Sequence, residues 1–147
     1  MSYVKIWVHA VWSTKNREPW LAGPNFQEMC EHIVVNAADK SIFIDTIIGY
    51  DEHIHTLMLL NQEYSIARQM QLIKGESSKW ANKVGLIDAH FGWAVKYFAA
   101  SVSGRKVPTV RAYIKKQQAH HANVTFAEEF DHFLKSAGYN PDSRSQG

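Results

Sequence analysis

The sequence predicts an α+β fold: a ferredoxin-like antiparallel sheet with two helices on one face, plus C-terminal helices, the first carrying a tyrosine. Three observations predict it. Four short segments are rich in β-branched and aromatic residues and bounded by polar or glycine-containing turns, as strands are. Two longer segments carry apolar residues at helical spacing. Their order, strand–helix–strand–strand–helix–strand, is that of the ferredoxin-like unit.

Tyr3 to Trp12 alternates, with Val4, Ile6, Val8, Ala10 and Trp12 on one face and Lys5, Trp7 and His9 on the other. The second face mixes polar and aromatic groups, as a functional sheet face would. Ser13 to Arg17 is a polar, basic loop. Pro24 opens a helix of about fifteen residues, with Asn25 as its possible cap and Phe26, Met29, Ile33 and Ala37 as its stripe. Ser41 to Ile48 and His53 to Leu60 form a hairpin around a tight turn at Gly49–Glu52. Asn61 to Val84 is the second helix, with Ile66, Met70, Ile73, Ser77, Trp80 and Val84 along one side. Lys74 to Lys79 interrupts its apolar pattern, and glycine costs a helix interior about 1 kcal/mol. Gly75 therefore predicts either close approach by a backbone or phosphate, or a kink. Trp93 to Ser103 is the fourth strand, and Gly104 to Pro108 a loop that could hinge. A third helix runs from Thr109, its N-cap, to about His121; a fourth spans Phe126 to Ala137 and closes with Gly138. Residues 1–139 make one domain and 140–147 a polar tail. The sheet face opposite the first two helices is left free, and His53 and His55 could lie on it.

A chain of 147 residues fits one domain with a sizeable core. No apolar run approaches the ~20 residues of a membrane helix, and the start lacks the shape of a signal peptide. A lone cysteine, Cys30, excludes an internal disulfide and a thiolate-rich zinc site. These features predict a cytoplasmic protein. The net charge of +2 conceals an asymmetry: residues 64–121 hold ten Lys/Arg against two acids, and the remainder six against twelve. A segment that basic suggests a polyanionic partner, although a solvated lysine-rich surface has the same composition.

His53 and His55 stand one residue apart entering an apolar strand. Residues at i and i+2 point to one face, with Cα atoms roughly 6–7 Å apart, so the two imidazoles can converge on one metal ion. They can equally pack or hydrogen-bond at the mouth of the sheet. In the third helix Tyr113 and Gln117 are at i, i+4 and share a face, surrounded by Arg111, Lys115 and Lys116. Tyr113 could simply pack its ring on the sheet. Combined, a Gln amide oxygen and two imidazoles make a three-ligand site with open positions, which suits Mg²⁺ or Mn²⁺ polarising a phosphate oxygen. A phenol with an ordinary pKa near 10 needs that help to act as a nucleophile.

These residues carry a family resemblance. The chain resembles the single-tyrosine HUH transposases of insertion sequences, including the repeat-associated tyrosine transposases, over about residues 3–121. The likeness rests on Trp12–Arg17, His53-Ile54-His55, Leu72–Ser78, Trp93 with Tyr97–Ser103, and Tyr113-Ile114-Lys115-Lys116-Gln117. It implies that His53 and His55 bind a divalent metal, that Gln117 is the third ligand, and that Tyr113 attacks a phosphodiester of single-stranded DNA. The products would be a 5′-phosphotyrosine and a free 3′-OH, followed by strand transfer. It further implies a nucleoid-associated prokaryotic protein acting on subterminal DNA hairpins as a homodimer, often with active sites shared between subunits across the Gly104–Pro108 loop. One departure is Asp51-Glu52 before the first histidine, where relatives commonly have Pro-Asp.

Lys15, Arg17, Lys74, Lys79, Arg105, Lys106, Arg111 and Lys115 are candidates for DNA contacts, as is Lys83; binding through them would be salt-dependent. His120 and His121 continue the Tyr113 face or simply suit the helix end, and His9 either lines the sheet face or packs. Some of the five tryptophans could stack on unpaired bases. Two other readings stay open. One is a non-catalytic ferredoxin-like nucleic-acid-binding module with structural histidines. The other is a small metal-dependent hydrolase or oxygenase using His53, His55 and a carboxylate such as Asp51 or Glu52. A two-histidine phosphodiesterase is disfavoured, because no histidine has Ser or Thr at i+2.

Overall fold

The computed structural model describes residues 2–116, 125–136 and 138. The elements are β1 (Trp7–Thr14), a 3-10 turn (Lys15–Arg17), α1 (Pro24–Asp39), β2 (Ile44–Tyr50), β3 (His53–Leu59), α2 (Ile66–Val84), β4 (Trp93–Val102), a second 3-10 turn (Gly104–Lys106), α3 (Val107–Lys115) and α4 (Phe126–Ser136). The four strands form one sheet in the order β2-β3-β1-β4, every neighbouring pair antiparallel. This is the expected α+β, ferredoxin-like arrangement.

Alternation in the strands divides the molecule into two layers of side chains. Val8, Ala10, Trp12, Ile54 and Met58 face α1 and α2 and form the main core with Met29, Ile33, Met70 and Ile73. On the other face Val11 and Phe98 pack with Phe130 and Leu134 of α4, and Leu57 packs with Val107 and Ile114 of α3. The second face is therefore covered by the C-terminal helices, not free as expected. Its apolar residues explain this, since a surface holding Val11, Leu57 and Phe98 is stabilised by removal from water.

Several boundaries differ from the sequence reading, each for a local reason. β1 starts at Trp7 instead of Tyr3, because its partners end opposite Trp7, at Leu59 and Val102. It continues through Ser13 and Thr14, where Ser13 pairs with His53 and Thr14 with Trp93. Asn25 does not cap α1; its amide donates to the Trp20 and Leu86 carbonyls and ties the helix start to the loop after α2. Ser41 adopts φ 60° after α1, which delays β2 to Ile44. Asn61 closes a turn by accepting from Glu63 N–H, so α2 begins only at Ile66, with Ser65 as its cap accepting from Arg68 N–H at 3.0 Å. Gly75 neither kinks α2 nor meets a neighbour: nothing lies within 4 Å of where its Cβ would be. Pro108 sits in the first turn of α3, a position proline favours, so Thr109 lies inside the helix instead of capping it.

Candidate metal centre and tyrosine

The hairpin fixes the histidines. Only Asp51 and Glu52 separate β2 from β3, and Tyr50 pairs with His53. Gly49 permits the close approach: a Cβ there would stand 2.1 Å from the His53 carbonyl oxygen. His53 and His55 consequently project from one face of β3, and both are fully buried. Their rings are 5.1 Å apart between centroids.

Each imidazole is held through its Nδ1. His53 Nδ1 lies 2.8 Å from Glu52 Oε1, and His55 Nδ1 lies 3.3 Å from Nε2 of His9. His9 is a buried residue of β1 whose ring stacks on His55. Burial pushes the His9 pKa down to about 3, with neighbouring His55 acting in the same direction. His9 therefore stays neutral and can accept a proton from His55 Nδ1. Burial likewise lowers His53 to about 4, against the opposing charges of Glu129 and Asp51 and with that of Arg17. Two Nδ1–H donors leave both Nε2 lone pairs directed elsewhere, the tautomers a metal needs.

The carboxylate that meets them was not foreseen. Glu129, in the first turn of α4 and 2% exposed, brings Oε1 to 2.7 Å from His55 Nε2. The ligand atoms of His53, His55 and Glu129 all lie within 4.8 Å of one another. Two imidazoles and a carboxylate oxygen fit a divalent cation of the Mg²⁺/Mn²⁺ or borderline class. Of the carboxylates considered in the alternative hydrolase or oxygenase reading, Asp51 and Glu52, the second touches His53 at Nδ1, and the group that gathers with both histidines is Glu129. The sequence offered one signal for Glu129, a charged residue at the edge of the apolar stripe of positions 126, 130, 133 and 134. An acid in a first helical turn is ordinarily explained by the helix dipole alone.

Tyr113, on α3, is half-buried, and its ring centroid lies 6.3 Å from that of His55 in the same chain. α3 reaches this position without a long hinge, because the Gly104–Lys106 turn runs directly into it. Arg111 fastens it to β2 through two hydrogen bonds to Asp45, at 2.8 and 3.1 Å. That contact holds the Asp45 carboxyl below the usual carboxylate range. Gln117, His120, His121 and the 140–147 tail lie outside the described residues.

A family model for transposases of the IS200-like type matches residues 2–117. The chain belongs to the IS200-like transposase family. A putative transposase from Deinococcus radiodurans R1 shares the fold with a TM-score of 0.64 at 19% identity, over 80% of this chain and 95% of that one. A REP-associated tyrosine transposase bound to a REP hairpin aligns with a TM-score of 0.62 at 16% identity, covering 84% and 73%. No curated protein sequence matches significantly.

For an IS200-like transposase the basic candidates are distributed unevenly. Lys15 and Arg17 are exposed in the turn after β1, and Arg105, Lys106 and Lys115 are exposed around α3. Lys74 is half-buried and donates to the Ala94 and Val95 carbonyls of β4, with its ammonium 5.2 Å from the Tyr97 ring centroid; desolvation lowers its pKa. Lys79 and Lys83 are exposed on α2, in the layer across the sheet from the histidines. Among the described residues no helix is long and apolar enough to cross a membrane.

Proposed function

We propose that this transposase nicks single-stranded DNA with Tyr113 at a metal centre built on His53 and His55, and afterwards transfers the strand. The observation that carries the reading is the phenol ring beside a buried pair of imidazoles whose ligand atoms lie within 4.8 Å of each other and of a buried carboxylate oxygen of Glu129. Tyr113 oxygen attacks phosphorus; the O–P bond it forms replaces the bond to the 3′ oxygen, which departs as a 3′-OH once protonated. The 5′-phosphotyrosine ester conserves the energy of the broken bond, so resealing needs no ATP. His53, His55 and Glu129 would hold the cation, with Gln117 as the ligand implied by the family resemblance. Mg²⁺ or Mn²⁺ held there would polarise the phosphate oxygen. Glu52 and His9 orient the two imidazoles.

The substrate is proposed to carry a hairpin, as in the hairpin-bound REP transposase of similar fold. Proximity of Tyr113 and His55 within one chain supports a site assembled in cis, so the expected homodimer would bring two complete sites to one DNA in the nucleoid. Full burial of both histidines requires α4 to shift as the phosphate enters.

The test is incubation with end-labelled single-stranded DNA bearing the flanking hairpin and Mn²⁺, followed by a denaturing gel. A covalent protein–DNA band is expected, and it should vanish with Tyr113→Phe and with EDTA. A band persisting in the Phe variant would reassign the nucleophile.

A further inference from the structure

On the far side of the sheet from the histidines, α1 and α2 leave a groove of about 630 Å³ on the outer surface. The two helices run antiparallel. Asn25, at the start of α1, donates to the Leu86 carbonyl just past α2, and Tyr64, before α2, donates to the Lys40 carbonyl just past α1. Within the groove His32 stacks on Trp80 at 4.1 Å between ring centroids, and its Nε2 is held 2.8 Å from a Glu76 carboxylate oxygen. Val35 and Val84 line the same groove and are 65% and 53% exposed.

Two exposed valines beside a half-buried indole form a patch of the kind that marks a contact surface. The charges around it are sorted by helix. Exposed Glu28 and Glu31 rise from α1 and exposed Lys79 and Lys83 from α2, each pair one turn apart. Among the described residues none of the four has an ion-pair partner. An acidic wall and a basic wall on either side of an apolar seam are complementary to a second copy of themselves. A two-fold axis along the groove turns α1 of one copy over α2 of the other, which is the geometry of an isologous interface. Carboxylates in the lining oppose the other occupant, a polyanionic nucleic acid.

We infer that a second copy of the chain docks on this helical face, with Val35, Trp80 and Val84 of both copies along the seam. Glu28 and Glu31 of each copy face Lys79 and Lys83 of the other. The sheet lies between this face and the metal centre, so the contact brings no tyrosine to the other copy's histidines. It is therefore a self-association surface apart from the sharing of active sites that the family resemblance implies. It also gives Lys79 and Lys83 a role that their distance in the fold from Tyr113 denies them in the nicking reaction.

The test is sedimentation equilibrium of the full-length, metal-free chain at micromolar concentrations, with circular dichroism to verify the fold of each variant. The wild type should self-associate, and less tightly as salt is raised. Like charges set face to face should weaken association about tenfold or more in Glu28→Lys/Glu31→Lys, and similarly in Lys79→Glu/Lys83→Glu. An equal mixture of these two variants should associate again, because each then offers the charge that the other lacks. Val35→Asp should weaken the wild-type contact without any change of helix content. A monomeric wild type, association unaltered in both charge variants, or a mixture that stays apart would overturn the interface. So would a DNA hairpin that binds more weakly to Lys79→Glu/Lys83→Glu while the mass of the protein is unaltered. The covalent-adduct gel reads the chemistry of Tyr113 in a separate assay, so the interface and the nicking reaction fail independently.

Discussion

Acid should unfold the metal-free protein earlier than its carboxylates would dictate, because two buried imidazoles resist protonation. His9 and His53 drop from an ordinary pKa near 6.5 to about 3 and about 4. Between those values and 6.5 the unfolded chain binds the extra protons, so stability falls as pH falls. At pH 4.5 each ring contributes a loss of roughly 2–3 kcal/mol, about 5 kcal/mol together, relative to pH 7.5. That is comparable to the whole stability of a small domain, about 5–15 kcal/mol. Urea unfolding followed by tryptophan fluorescence in EDTA, at half-unit steps from pH 7.5 to 4.5, measures it. His9→Asn should remove about half of the slope, which separates the imidazole effect from Asp51, whose carboxyl burial pushes up and which acts in the opposite sense. A loss below about 1 kcal/mol over this range, or an unchanged slope in His9→Asn, would refute the reasoning.

Gly49→Ala drives a methyl to 2.1 Å from the His53 carbonyl oxygen; overpacking against backbone should cost at least about 2 kcal/mol and weaken Mn²⁺ binding, both read by urea midpoint and calorimetric titration. Unaltered values would mean the hairpin splays freely. In Glu129→Gln, a fold retained by circular dichroism with Mn²⁺ affinity down about tenfold or more is expected; an unchanged affinity would remove Glu129 from the ligand set. Ser77→Ala deletes the acceptor, at 2.9 Å, of the buried Trp93 indole N–H, and should cost about 1–3 kcal/mol in thermal or urea unfolding. The indole stays in place, so a neutral result would show that water replaces the hydroxyl.

The sequence by itself determined the strand and helix order, and with it the ferredoxin-like sheet, because periodicity and turn residues act over a few positions. It also determined that His53 and His55 share a face, since a strand alternates whatever surrounds it. Element ends such as Trp7 and Ile66 were set by pairing partners and a side-chain turn that no local pattern encodes. Only the tertiary structure decided which groups meet the imidazoles. Glu52 is adjacent in sequence yet turns to the Nδ1 side, while Glu129, more than seventy residues further on, arrives because Phe130 and Leu134 of α4 pack against Val11 and Phe98. Burial of an apolar stripe is not directional, so the sequence marks α4 as a helix that must dock but leaves its place to the shape of the sheet face. That docking brings the carboxylate of Glu129 to His55.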